Sequence, residues 1–399
     1  MTVLDELIQE LCPEGVAYKT LGEIATDIFR GAGITRDQVR ETGTPCVRYG
    51  EIYTTYGVWF EDCVSHTDET LLTSKKYFDY GDILFAITGE SVADIAKCCA
   101  YIGHETCLAG GDIVVLKHNE DPKYLSYALS TLDAQKQKSK GKVKSKVVHS
   151  SVPDIKAIRV PVPPLPVQRE IVRILDNFTE LTAELTAELT ARKKQYEFYR
   201  DKLLTFGDVR VGVTSDVIRR TLGEVCKISA GGDAPKDSMS KQKTEKYSVP
   251  IISNGIGENA LYGYTDAPKV EEPAVTVAAR GTIGYAEYRD YPFYPIIRLL
   301  TAIPKDSTVV NTKYLYYCLQ GKQYSVPMGG IPQLTAPELK KVEIPIPSLD
   351  VQNRIVQVLD NFDAICTDLF SGLPAEIEAR QKQYEYYRDK LLTFKEKTS

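Results

Sequence analysis

What this 399-residue chain lacks closes several classes of function. No apolar run approaches the ~20 residues of a membrane-spanning helix. The opening MTVLDELIQELCPEG is acidic and amphipathic, which is not the pattern of a secretion signal. Nine cysteines carry no Cys-x-x-Cys spacing, Cys98 and Cys99 being merely adjacent, and His66, His104, His118 and His149 show no metal-ligand spacing relative to them. Free thiols in a reducing cytoplasm are the expectation, with no metal on the chain. There is no Gly-x-x-x-x-Gly-Lys-[Ser/Thr] to cradle nucleotide phosphates and no Gly-x-Gly-x-x-Gly dinucleotide turn. The [Asn/Asp]-Pro-Pro-[Tyr/Phe] cluster that would hold a flipped adenine is also missing. Pro153-Asp-Ile-Lys156 has an acid and a lysine in nuclease-like order but lacks the second acid, and it matches Pro337-Glu-Leu-Lys340. A shared helix or loop start is the simpler reading. The chain is expected to be non-catalytic. Nor is there an overall basic excess, the net charge being −5. That argues mildly against nucleic-acid binding, although the local field at a binding face matters more.

What the chain does contain, it contains twice. Residues 194–206 read KQYEFYRDKLLTF and residues 382–394 read KQYEYYRDKLLTF. Upstream, 161–178 is PVPPLPVQREIVRILDNF and 345–362 is PIPSLDVQNRIVQVLDNF. Two long matches in the same order mark an internal duplication, with a period near half the chain. Lys19-Thr-Leu-Gly-Glu-Ile24 returns as Arg220-Thr-Leu-Gly-Glu-Val225, so each module is bounded at both ends. The expected division is an N-terminal amphipathic segment over 1–18, a first module over 19–157 and a helical arm with linker over 158–218. A second module follows over 219–341 and a second arm over 342–399.

Both modules mix short β-rich runs with glycine turns, and at 399 residues either can bury its own core. Strands are expected near 47–53, 82–87 and 112–117, then a helix at 124–132. Module two repeats the pattern at 249–252, 274–278 and 298–303, with a helix at 312–320. The arms carry apolar residues at three- and four-residue steps, the seam of a coiled coil. Gly372 and Pro374 interrupt the second arm. In the first, Thr182-Ala-Glu-Leu185 is repeated at once as Thr186-Ala-Glu-Leu189. The upstream landmarks start at 161 and 345, 184 apart, and the downstream ones at 194 and 382, 188 apart, so the arms differ by four residues.

Nucleic-acid binding is the chemistry the residues favour. Lys136, Lys138, Lys140, Lys142, Lys144 and Lys146 alternate with uncharged residues. In an extended segment they would share one edge, suited to phosphates or simply to solvent. Lys142, Lys144 and Lys146 are expected nearest the DNA. Lys236, Lys241, Lys243 and Lys246 flank Gly231-Gly-Asp-Ala-Pro235, and Asn254, Arg280 and Gln333 lie on expected loops with side chains able to read base edges. A coiled-coil scaffold with two protein-binding modules is the alternative.

With its two divergent modules, each followed by the same helix, the chain resembles the specificity subunit of type I restriction-modification enzymes. The Pro-hydrophobic-Pro-x-Leu-x-x-Gln entry, Leu-Asp-Asn-Phe and Lys-Gln-Tyr-Glu-[Phe/Tyr]-Tyr-Arg-Asp-Lys-Leu-Leu are similar to that family's shared regions, and the tandem Thr-Ala-Glu-Leu to the repeat of its IC subclass. Gly231–Pro235, Ser253-Asn-Gly255, Ala279-Arg-Gly-Thr-Ile-Gly284 and Gly330-Ile-Pro-Gln-Leu334 resemble its target recognition domains, whereas module one departs from them at Thr88-Gly-Glu90. The resemblance implies an α+β fold with two mixed α/β target recognition domains separated by two long antiparallel coiled-coil helices. Each domain would read half of a split DNA target. The arms, through Thr182, Leu185, Thr186 and Leu189, would set the unread gap. Two methyltransferase (modification) subunits using S-adenosylmethionine, and restriction subunits using ATP and Mg2+, would dock on it, with no cofactor on this chain.

Overall fold

The computed structural model describes residues 2–140, 147–206, 217–324, 332–368 and 371–397. The chain divides into two units. The first takes in residues 1–186 and 376–399, the second residues 187–375, so each combines one module with halves of both arms.

In the first unit a five-stranded sheet runs in the order Ala25–Arg30, Ile113–His118, Ile83–Ala86, Cys98–Tyr101, Trp59–Phe60. A second sheet runs Val39–Arg40, Ser65–Thr67, Thr44–Val47, Cys107–Ala109, Tyr77–Phe78. In the second unit the same order recurs with four strands each. One sheet is Cys226–Ala230, Leu300–Pro304, Ala274–Val277, Ala286–Arg289, and the other Met239–Ser240, Leu261–Thr265, Val249–Ile252, Tyr294–Pro295. Most pairings are antiparallel, but Cys98–Tyr101 with Trp59–Phe60, Thr44–Val47 with Cys107–Ala109 and Val249–Ile252 with Tyr294–Pro295 are parallel. Ile83–Ala86 and Ala274–Val277 are buried at every position, as continuous apolar runs in a covered sheet should be.

The expected strands at 82–87, 112–117 and 249–252 and the helices Pro122–Leu129 and Thr312–Leu319 are present. The expected strand at 47–53 is not. Its backbone turns after Val47 into the helix Tyr49–Thr54, because the Glu51 carboxylate reaches back to the Arg48 backbone N–H (3.0 Å) and guanidinium (3.1 Å). The Ser65 hydroxyl donates to the same carboxylate at 2.7 Å, so this buried acid is fully engaged. Pro153 and Pro337 do open matching short helices, capped by Ser151 and Thr335. All nine cysteines are free.

The repeated phrases build the junction between module and arm. In the first unit Tyr124 donates to Pro161 O (3.0 Å), Tyr127 to Asp176 (2.7 Å), and Lys123 pairs with Asp176 (2.8 Å). In the second, Tyr314 donates to Pro345 O (2.9 Å), Tyr317 to Asp360 (2.5 Å), and Lys313 pairs with Asp360 (2.8 Å). Gln168 and Gln352, both fully buried, bind backbone groups at equivalent places.

The first arm is one helix, Leu165–Thr205, and the second is two, Leu349–Thr367 and Leu373–Leu391, interrupted where Gly372 and Pro374 foretold. Phe178 stacks on Tyr387 at 5.5 Å in the first unit, and Tyr199 on Phe362 at 5.8 Å in the second. The N-terminal helix Val3–Leu11 packs into the first core, which also holds Tyr384 and Leu392, and Tyr18 exchanges hydrogen bonds with Phe394.

One buried histidine gives the first unit a pH dependence. His118 Nδ1 accepts from the Glu120 N–H (3.1 Å), leaving the proton on Nε2, which is shut from solvent. Burial pushes its pKa down to about 4 from 6.5. Between those values the unfolded chain takes up a proton that the folded chain refuses, so stability falls as pH falls. Urea unfolding of wild type and His118→Leu should differ in slope between pH 6.5 and 4, the wild type losing roughly 1 kcal/mol more per pH unit. Parallel pH profiles would show that His118 is protonated alike in both states.

Candidate nucleic-acid interface

At one end of each unit's two sheets, four loops follow four strands and meet. In the second unit they are the loops after Ala230, Ile252, Val277 and Pro295. Gly231 donates to Leu299 O (2.8 Å) and accepts from Arg298 N–H (2.9 Å). A Cβ at Gly231 would lie 2.7 Å from Ile296 N, an approach only glycine permits. Asn254 braces the other two loops. Its Nδ2 donates to Ile297 O (2.6 Å), its Oδ1 accepts from Ala279 N–H (2.7 Å), and Thr282 donates to its carbonyl (2.7 Å). Both amide atoms of Asn254 thus help to hold the rim together.

Arg280 and Gln333, 53 residues apart in sequence, are brought into contact. Gln333 Oε1 accepts from Arg280 Nε (3.0 Å) and Nη2 (2.7 Å). Leu334 N–H to Ala279 O (2.9 Å) locks their backbones together. Arg298, which sequence reasoning missed, also reaches Gln333 Oε1, at 3.5 Å. Arg298 and Ile297 both sit at positive φ, +59° and +54°, a conformation that costs a side-chain-bearing residue about 1–2 kcal/mol each. No glycine signals this turn, so only the folded geometry exposes it.

The lysines divide. Lys236 and Lys243 are exposed, Lys236 on a cleft of about 750 Å³ with Pro235, Tyr262 and Ile297. Lys241 lies 3.7 Å over the Tyr262 ring and donates to Tyr262 O, so it is anchored. In the first unit the extended lysine edge is corrected at its start. Leu132–Ser139 is a helix, and Lys138 is 5% exposed with its ammonium on Leu129 O (2.8 Å). Thr131 caps that helix and starts it before the lysines begin. Lys136 and Lys140 are exposed, while Lys142, Lys144 and Lys146 lie outside the described residues. Of the spacer residues, Thr182, Leu185 and Leu189 are half-buried and Thr186 is exposed. The Thr182 hydroxyl donates to Phe178 O within the helix.

The first unit has the same rim with other chemistry. Gly110 N–H to Val47 O matches Ile296 N–H to Ile252 O, both 2.9 Å, and Ser150 N–H to Ile87 O (2.8 Å) matches Leu334 to Ala279. Thr88 and His149 therefore stand where Arg280 and Gln333 stand, and they meet at 3.2 Å between Oγ1 and Nδ1. In the same unit a cleft of about 1070 Å³ is lined by Arg30, Arg36, Arg48 and Tyr49. Arg30 is tied to Asp112 at 2.5 Å. These arginines are far apart in sequence, and nothing in their spacing joins them.

The family model of the type I restriction modification DNA specificity domain matches the chain twice, over residues 13–192 and 214–379. The chain belongs to the type I specificity family. Among relatives, the Escherichia coli type I restriction enzyme EcoR124I/EcoR124II specificity subunit is 33% identical over 300 residues, covering 68% of this chain and 70% of that one. A Mycoplasma pneumoniae protein assigned by name as a type I specificity subunit is 30% identical over 374 residues, covering 92% and 94%. The fold matches a crystal structure of the specificity subunit from M. genitalium, with a TM-score of 0.55 at 15% identity over 95% and 96% of the chains. A chain from a study of type I complex assembly matches with a TM-score of 0.65 at 19% identity, over 96% and 98%. This specificity subunit thus carries two DNA specificity domains on one duplicated frame. Among the described residues, no helix is long and apolar enough to cross a membrane.

Proposed function

We propose that each rim reads one half of a bipartite duplex target and that the arms fix the gap between the halves. The observation that carries this reading is one frame presenting two chemistries, Arg280–Gln333 in one domain and Thr88–His149 in the other. A common backbone with divergent polar tips is what two sites of one type and different specificity require. The chain targets and does not catalyse. Two modification subunits dock along the arms and supply S-adenosylmethionine chemistry on adenine, one for each half. Restriction subunits add ATP- and Mg2+-dependent cleavage, and the assembly works in the cytoplasm. This chain's own share is to bind DNA, orient it and hold the register.

Exchange of residues 19–157 for the first module of another family member tests it, with adenine methylation mapped in cells carrying the intact system. One half-site should change while the other half and the gap persist. A swap that alters both halves would show that the domains do not read independently.

A further inference from the structure

The Arg280–Gln333–Arg298 cluster has an electrostatic consequence that its members lack singly. Two N–H groups of Arg280 and one of Arg298 converge on Gln333 Oε1. This fixes the amide's orientation, because turning it over would set an NH2 group against two guanidiniums. Gln333 Nε2 therefore faces away from them, and among the described residues no acceptor meets it. Arginine has donors only. What the cluster can offer a ligand is a surface of hydrogen-bond donors without an acceptor.

We propose that this cluster reads a guanine in the half-site of the second domain. In the major groove guanine presents two adjacent acceptors, N7 and O6. Adenine pairs an acceptor with a donor, cytosine offers a donor, and thymine one acceptor beside a methyl group. Only guanine satisfies a donor-only surface without leaving a donor on either side unpaired. Phosphate oxygens are acceptors too, but the construction favours a base. Arg280 and Gln333 are half-buried and cross-braced, and Arg298 is held on a turn of two left-handed residues. A phosphate grip needs only mobile, exposed charge, which Lys236 and Lys243 already supply. The first domain, with Thr88 and His149 at the equivalent positions, mixes donor and acceptor and carries no such requirement. The inference rests on the DNA-reading function proposed above and adds the identity of one base.

The test uses the full chain and a randomised duplex library, followed by binding measurements on the selected sequence. The second half-site should contain an invariant guanine. Replacing that guanine by 7-deazaguanine, which removes N7 alone, should weaken binding about tenfold or more. Gln333→Glu keeps an oxygen for both arginines but turns the outward N–H groups into an acceptor. It should lose the guanine preference and favour a base that presents a donor, cytosine or adenine. Arg298→Ala should relax selection at the same position only. The proposal is overturned if 7-deazaguanine at every guanine of that half-site leaves affinity unchanged, or if Gln333→Glu and Arg298→Ala weaken all duplexes alike, the mark of a phosphate contact. A chain that selects no sequence from the library would instead overturn the DNA-reading function itself, a distinguishable result.

Discussion

Adding a third Thr-Ala-Glu-Leu after Leu189 should lengthen the unread gap of the DNA target by one or two base pairs and leave the bases on either side unchanged. Four residues extend a helix by about 6 Å and turn it by a net ~40°. Base pairs lie about 3.4 Å apart along B-DNA, which converts the length into one or two steps. The insertion point is favourable. The tandem repeat lies inside the uninterrupted helix Leu165–Thr205, and the boundary between the two units falls within it, after Thr186. Leu185 and Leu189 are half-buried on a four-residue spacing that a further unit would continue, so the apolar stripe drifts slowly and packing survives. Deleting one unit should shorten the gap, or abolish activity if the arms lose register. Methylation mapping of variants with one, two and three units reads the result directly. An unchanged gap in active variants would mean that another element is the ruler.

Gln352→Leu should cost about 2–4 kcal/mol in urea unfolding, and Gln168→Leu a similar amount in the other unit. Leucine nearly matches glutamine in size, so little of the loss is packing. What disappears is a bracket. Gln352 accepts from Asn311 N–H (2.9 Å) and donates to Val309 O (2.8 Å) and Pro347 O (2.9 Å), fully buried. Gln168 does the same with Asp121 N–H (2.9 Å) and Pro163 O (2.7 Å), adding the Glu120 carboxylate (2.7 Å). Each substitution strands backbone groups away from water, and an unpaired buried polar group costs more than its hydrogen bond contributed. The exposed Gln381→Leu, on an arm but off the junction, should stay within about 0.5 kcal/mol. A loss at Gln352 no larger than that control's would mean that water enters and replaces the amide.

The duplicated plan was legible because it is written in long apolar repeats and matched landmarks. Strands such as Val249–Ile252 also read directly, since a short β-branched run between turn residues has few other fates. The helix Tyr49–Thr54 did not. Its residues favour a strand, and it is the Glu51 carboxylate that turns the backbone, held by Ser65 from another strand. Lys138 misled for a related reason. Strict alternation suggested an extended edge, whereas the Thr131 cap begins a helix and a buried carbonyl takes the ammonium. At the site, residue type alone flagged Arg280 and Gln333, but their convergence came from folding. Arg298 needed the geometry altogether, because its left-handed turn lacks the glycine that would announce it.

The composition of the units also bears on synthesis. Residues 187–375 are contiguous, so the second unit can close once they have left the ribosome. The first unit cannot, because its core includes Tyr384 and Leu392 beside Val167, Ile171 and Leu175. At ~5–20 residues per second, roughly 10–40 s separate the two halves of that core during translation. For that interval the apolar stripe of residues 167–175 is covered by the first module alone, and a nascent chain stalled before residue 376 would display the side that Tyr384 and Leu392 close to chaperones and to other chains.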